Sequence, residues 1–220
     1  MNIRFRKSHE AAPKKLAMSA LVEEEHALEH AWAIWEARCP EKKNLSEEEW
    51  ANLQQQLCEF DTVEGFWRYF HHIPPPSEVF YDGRAKKRVG SPPNERTIEA
   101  FSLFKKGVRP AWEDPANKLG GEWFLRKSLR ADEVDEYWRN LVLGLVGETI
   151  EGDPGDMITG ARVVDKSNGR GQAPTFRLEL WLRTKDDKLS AQLKERMLST
   201  ITGGSPVRGL AEGFQWKLHA

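Results

Sequence analysis

The stretch Phe60-Asp61-Thr62-Val63-Glu64-Gly65-Phe66-Trp67 decides the fold, because a strand ends and a helix begins inside it. Residues 53–60 lead into it as a predicted strand, weakened by the three glutamines Gln54, Gln55 and Gln56. Asp61 or Thr62 then caps a helix, since either short side chain can accept from the first free backbone N–H groups. Glu64 stands three residues after Asp61, the spacing of a capping box. Val63, Phe66, Trp67 and Phe70 recur at helical spacing. Pro74-Pro75-Pro76 must stop that helix, because proline lacks the N–H and clashes with the preceding turn.

Working upstream, residues 30–36 alternate, with Trp32 and Ile34 on one side and Ala31, Ala33 and Trp35 on the other, which predicts a first strand. Downstream, residues 74–96 carry prolines, glycines and the basic run Arg84-Ala85-Lys86-Lys87-Arg88, and read as a long, solvated surface loop. Residues 98–108 contain a third strand, and 110–118 form a loop. Gly120-Gly121 opens a fourth strand over 122–129. Asp132 is the expected cap of the clearest helix, in which Val134, Tyr137, Trp138, Leu141, Val142, Leu145 and Val146 form one stripe. Residues 157–165 and 175–182 read as two strands of a hairpin joined by a glycine-rich, basic segment. A third helix runs over 187–199 with Leu189, Leu193 and Met197 on one stripe. Residues 214–218 alternate as an edge strand. Hairpins interleaved with helices give an antiparallel sheet with helices on one face, an α+β architecture.

At 220 residues the chain is long enough for one domain with a real core. Residues 1–22 read as a basic, disordered tail and 23–220 as the domain, with 74–96 as an insertion loop. Charged residues are 30% and hydrophobic ones 39%, and no apolar run approaches the roughly 18 residues that span a bilayer. No signal-peptide pattern opens the chain. A net charge of −1 excludes coating of nucleic-acid backbones by bulk charge, so any nucleotide recognition must be local. Cys39 and Cys58 give neither a metal-site spacing nor a disulfide framework, which fits a reducing compartment.

Catalytic constellations are absent. There is no His-Glu-x-x-His, no phosphate-binding P-loop, no G-x-S-x-G and no dinucleotide fingerprint. His71-His72 lacks the companions of a metal site and reads as surface histidine. Gly152-Asp153-Pro154-Gly155-Asp156 lacks the spaced ligands of a calcium loop and reads as an acidic turn. What stands out is the count of nine tryptophans, most of them in short acidic or glycine-marked motifs. Indole faces beside acids and bases suit a planar cationic ring that is stacked and read at its edge, while core packing is the competing account for each.

Those motifs carry a resemblance. His26-Ala27-Leu28 through Trp35, Trp50-Ala51-Asn52-Leu53, the Phe60–Trp67 stretch, Phe101-Ser102-Leu103-Phe104-Lys105-Lys106-Gly107, Trp112-Glu113-Asp114, Gly120-Gly121-Glu122-Trp123, Tyr137-Trp138 through Gly147-Glu148, and Trp181 together resemble eukaryotic translation initiation factor 4E, the family that binds the mRNA 5′ cap. The resemblance runs from about His26 to Ile201. It implies a single curved antiparallel sheet with about three long helices on its convex face and the cap site on the concave side.

By that resemblance Trp50 and Trp112 are the two stacking faces for 7-methylguanine, whose ring is cationic. Each such face is worth about 1–3 kcal/mol. Glu113 would accept from the guanine N1–H and 2-amino group, a donor edge that adenine lacks. Trp181 would lie near the N7-methyl group, with a core role as its rival. Lys166, Arg170 and Arg177 are the expected phosphate contacts, Arg162 is an alternative to Arg170, and a solvated surface charge is the competing reading for each. Glu122 stands where many family members carry arginine, and an acid there weakens phosphate attraction. On the opposite face, His26, Leu28, Val63, Trp67, Arg139 and Asn140 would receive an amphipathic helix from scaffold factor 4G or from a repressor. Ala27 replaces the usual proline there, and Arg139 and Asn140 replace the usual leucine and acid, so partner choice is expected to differ.

The sequence is therefore read as a non-enzymatic cap-binding protein of translation initiation, a divergent protist-type paralogue. The expectation is a monomer without its partner, cytoplasmic and open to a nuclear role, with capped mRNA as ligand and no metal, cofactor or membrane. A cap-binding repressor or specialised paralogue that does not recruit the usual scaffold is the alternative within the function. A tryptophan-platform carbohydrate module is the alternative from another class, and the late basic residues argue against it.

Overall fold

The computed structural model describes residues 25–40, 44–152, 155–167 and 171–219. The predicted tail at 1–22 lies outside the described residues, and so does Arg170. Seven strands form one open antiparallel sheet: β1 (Ala27–Arg38), β2 (Gln54–Thr62), β3 (Ile98–Lys105), β4 (Gly121–Ser128), β5 (Ile158–Asp165), β6 (Thr175–Leu182) and β7 (Phe214–Leu218). Their order is β2-β1-β3-β5-β6-β4-β7. Five helices accompany them among the described residues: α1 (Glu47–Leu53), α2 (Val63–Phe70), α3 (Pro76–Val79), α4 (Ala131–Val146) and α5 (Asp187–Ile201). The α+β architecture expected from the element order is the one observed, and residues 214–218 take the edge position beside β4.

Strand alternation divides the sheet into two faces. Trp32, Ile34, Phe101, Leu103, Leu125, Ala161, Val163, Leu178 and Leu180 point into one core with Phe66 of α2, Val134, Trp138, Leu141 and Leu145 of α4, and Leu193 and Met197 of α5. Trp123 adds a bond to this layer, donating its indole N–H to the Ser190 carbonyl of α5 at 2.9 Å. Among the described residues the opposite face carries two small apolar clusters. Ala37, Ala100 and Val164 form one, and Phe104, Val108 and Trp181 form the other.

Several local expectations need correction. Trp50 stands just ahead of a strand, as expected, but on α1, a short helix that the sequence reading does not include. Ser46 caps it in a complete box: the Ser46 hydroxyl accepts from Glu49 N at 3.2 Å and the Glu49 carboxylate accepts from Ser46 N at 2.8 Å. At α2 the cap is Thr62, whose hydroxyl accepts from Gly65 N at 3.0 Å. Glu64 closes no box with Asp61, because its carboxylate accepts from the His26 backbone N at 2.9 Å and lies 2.7 Å from the His26 ring. At α4 the cap position is Arg130, not Asp132. Glu133 reaches back to Arg130 N at 2.8 Å, and Asp132 pairs with the Arg130 guanidinium within the first turn.

The segment 74–96 is anchored more firmly than a solvated loop. Val79, Phe80 and Tyr81 are buried. Asp135 of α4 accepts from the backbone and the hydroxyl of Ser77, and Asp165 accepts from Tyr81 N at 3.1 Å. Arg96 clamps the buried Glu36 with two bonds. The basic run at 84–88 stays largely on the surface. Among the described residues no helix is long and apolar enough to cross a membrane.

Thr62→Ala should lower the unfolding free energy by about 1 kcal/mol in a denaturant titration, the usual cost of a lost N-cap, whereas Asp61→Ala should leave it nearly unchanged.

Candidate functional site

A cavity of about 500 Å³ opens on the sheet face away from the long helices. Its first wall is α1, which presents Trp50 at 46% exposure. Its second wall is the loop between β3 and β4, which presents Trp112 at 38% exposure together with the exposed Glu113. Indoles this large are seldom left in water without a use. Both line the cavity, as does Glu113, which makes no side-chain hydrogen bond or ion pair among the described residues.

The second wall is rigid for reasons the sequence reading missed. Asp114 is buried, and its carboxylate accepts from Arg109 N at 3.0 Å and from Ala116 N at 2.9 Å. Asn117 is fully buried and donates its amide to the carbonyls of Arg109 and Ala111, both at 2.9 Å. Two side chains thus satisfy the inward-facing backbone of a loop that has no ladder of its own. The loop leaves through Gly120 into β4, and a side chain at Gly120 would put its Cβ 1.8 Å from the Leu182 carbonyl oxygen, so only glycine fits that approach.

Trp181 of β6 lies in the floor, 1% exposed. It meets Phe104 edge to face at 5.3 Å and the His219 ring at 4.4 Å, and its indole N–H donates to Glu179 at 2.8 Å. His219 belongs to none of the motifs in the sequence. Buried at the end of β7, its ring nitrogen Nδ1 is 2.9 Å from the Asn117 carbonyl, tying the floor to the second wall.

The cations of the site are already engaged. Arg177 is bound by the carboxylates of Glu122 and Glu179, the latter at 3.0 Å, and its guanidinium lies 3.8 Å from the centroid of the Phe124 ring. Arg162 is 3.6 Å from Glu179 and Lys166 is 3.6 Å from Glu99. Burial pushes the Glu122 carboxyl up, but the facing His219 imidazole and the charges of Arg177 and Arg162 outweigh it and hold the carboxyl below its ordinary range. The cavity is lined by four carboxylates, Glu99, Glu113, Glu122 and Glu179, and by five cations, Arg109, Arg162, Lys166, Arg177 and Lys217, so its charge is close to balanced.

The predicted partner residues lie on the helix layer instead. Val63 and Trp67 of α2 are each 37% exposed, and Tyr69 of the same helix is 39% exposed. Leu28 packs partly against the core. His26 and Glu64 form an exposed pair at 2.7 Å, and the hydrogen bonds from His26 bring the Glu64 carboxyl down to about 2. Arg139 is exposed, but the Asn140 amide donates to the Ile201 carbonyl at 3.1 Å and so ties α4 to the end of α5.

A seven-stranded open sheet with a helix layer behind it and two indoles and an acid over its other face is the build of the initiation factor 4E class. A profile of that family, described as eukaryotic initiation factor 4E, matches residues 27–206, and the chain belongs to the family. Eukaryotic translation initiation factor 4E1 of Drosophila melanogaster is 38% identical over 147 residues, which are 65% of this chain and 48% of that protein. The chain thus spans about half the length of curated relatives that it matches. The eIF4E-3 of Ascaris suum, solved with an m7G cap and with an m2,2,7G cap, superposes with TM-scores of 0.67 and 0.66 at 27% identity, covering 90% of this chain and 93% of that one. The C. elegans eIF4E-3 in complex with the 4E-binding protein Mextli shares the fold at a TM-score of 0.67 and 24% identity, covering 89% of this chain and 94% of that one.

Proposed function

We propose that this protein binds the 7-methylguanosine 5′ cap of mRNA and acts in translation initiation. The observation that carries the reading is the pair of half-exposed indoles, Trp50 and Trp112, on the walls of one cavity that also holds an unengaged carboxylate, Glu113. N7-methylation makes guanine cationic, and a cationic ring between two indoles gains both stacking and cation–π attraction. Glu113, acceptor-only when ionised, takes the N1–H and 2-amino donors of guanine. Trp181 closes the floor near the methyl group. The cap-bound structures of the Ascaris suum relative support this ligand class.

Lys166 and Arg177 serve the phosphates, with Arg162 behind them. A phosphate that reaches Arg177 must share it with Glu122 and Glu179, and the nearly balanced charge makes the polyphosphate a smaller part of the affinity than the base. The role is binding rather than catalysis. The protein then recruits a 4G-type scaffold by an amphipathic helix that covers Val63 and Trp67 of α2. The Mextli complex of the C. elegans relative supports a partner protein of this general kind. A repressor that binds caps without the usual scaffold is the second reading. It is favoured by Asn140, whose amide is spent on Ile201 where an outward acid would greet a partner.

Three measurements test the reading. In a titration of tryptophan emission, m7GTP should bind far more tightly than GTP, and Trp112→Ala should weaken m7GTP at least about tenfold, because one stacked face is lost. Equal affinity of the wild type for both nucleotides would sink the proposal. Glu122→Gln should tighten m7GTP by about three- to tenfold while leaving the 7-methylguanosine nucleoside unchanged, since a negative charge beside the phosphates disappears. Wild-type protein held on m7GTP resin should retain a 4G-type scaffold that Trp67→Ala loses; a cap-bound wild type that retains no scaffold overturns scaffold recruitment and favours the second reading.

A further inference from the structure

One cation of the cavity differs from the rest. Lys217 stands on the edge strand β7, opposite Glu122 of β4 in register. Its ammonium does not pair with a carboxylate among the described residues but lies 3.7 Å from the centroid of the Trp112 ring. That is contact distance for a cation over a π face. The same side chain lines the cavity. The protein therefore keeps a positive charge of its own on an indole that, in the proposed function, receives a positively charged base.

We propose that Lys217 is a specificity-determining residue that opposes the charge of the methylated base on Trp112, and so shifts ligand recognition from the cationic base towards the anionic tail. The inference rests on the cap-binding reading of this cavity. The physical argument holds for either face of the indole. On the shared face the ammonium must leave before the base can stack. On the opposite face it draws on the same electron-rich ring and repels the second cation across it. In both cases the methylated base gains less from Trp112 than it would from an unoccupied indole. A neutral guanine must also displace the ammonium if it stacks on the shared face, but it escapes the repulsion between the two cations, because it carries no charge. A polyphosphate gains, because the lysine stem is flexible and its head can follow an anion into the cavity. Lys217 thus narrows the difference between methylated and unmethylated ligands while it raises the affinity for the phosphate chain.

The test uses the full chain, with Lys217→Met and Lys217→Gln as two variants at a half-buried edge position, each shown to be folded by circular dichroism. Wild type and variants are titrated with 7-methylguanosine, m7GTP and GTP. The variants should bind the 7-methylguanosine nucleoside about two- to fivefold more tightly, the value of one exposed cation–π contact, and the preference for m7GTP over GTP should rise. In the wild type, the Lys217 side-chain methylene protons should show an upfield ring-current shift in NMR spectra that Trp112→Leu abolishes. If the wild type prefers m7GTP to GTP but the nucleoside binds the variants no better, the lysine does not oppose the base and this inference alone is lost. If the wild type shows no such preference, the cap-binding reading fails and the inference goes with it.

Discussion

The period of two along the central strands is the constraint on which the rest of the molecule depends. On β6, Phe176, Leu178, Leu180 and Leu182 go to the helix layer, and Arg177, Glu179 and Trp181 go to the cavity. A slip of one residue would bury the ion pair under α4 and α5 and strip the core of its apolar contacts. On β5 the same rule sends Ala161 and Val163 inward and Arg162 and Val164 to the cavity. The core therefore fixes the register, and the register fixes which charges share the site. Stability and function use alternate residues of the same strands and do not compete for the same side chains.

Placing charges on that second face carries its own cost. Glu122 and Glu179 are 1% and 3% exposed, and an unpaired carboxylate that deep would be several kcal/mol unfavourable. Arg177 answers both, and Arg162 adds to Glu179. The arrangement is one network in which Arg177 links the two carboxylates and Glu179 also has Arg162 and the Trp181 indole N–H beside it, rather than a row of free cations. A network of this kind is stiff. It also leaves the site close to neutral, which distinguishes it from a groove that captures nucleic acid by charge alone. The weight of recognition falls on the indoles.

Much of this was legible in the chain, and the reasons differ by element. The strands and the long helices show because their buried faces are apolar at a fixed period, as at Val134, Trp138, Leu141 and Leu145. α1 was passed over although Ser46-Glu47-Glu48-Glu49 spells a capping box, because so short and polar a helix has no apolar stripe to announce it. The start of α4 was misplaced because an arginine is an unusual cap, and only the reach of Glu133 marks it. The tryptophans and Glu113 could be named from local motifs. Asp114, Asn117 and His219 could not, since each acts through backbone groups that are brought near by the loop and by β7. The pairing of Arg177 with Glu122 was also out of reach. In register Arg177 faces Arg126, and it finds Glu122 only by lying across Phe124.

The two walls of the cavity are held by different physics. Trp112 stands on a loop whose inward backbone groups are satisfied by the buried Asp114 and Asn117, with His219 bonded beneath it. Ordering that loop costs nothing further when a ligand arrives, because the cost has been met in folding. Trp50 stands on a helix of seven residues at the sheet edge beside β2, and a single capping box organises its start. Short helices draw little stability from their own hydrogen bonds. The more rigid wall is also the one that carries Glu113, the group whose hydrogen bonds demand the tightest geometry. Stacking on Trp50 tolerates small errors of position, because dispersion over a flat face varies slowly with sliding. The fold thus spends its polar anchors where direction matters and leaves the less directional contact to the more lightly held helix.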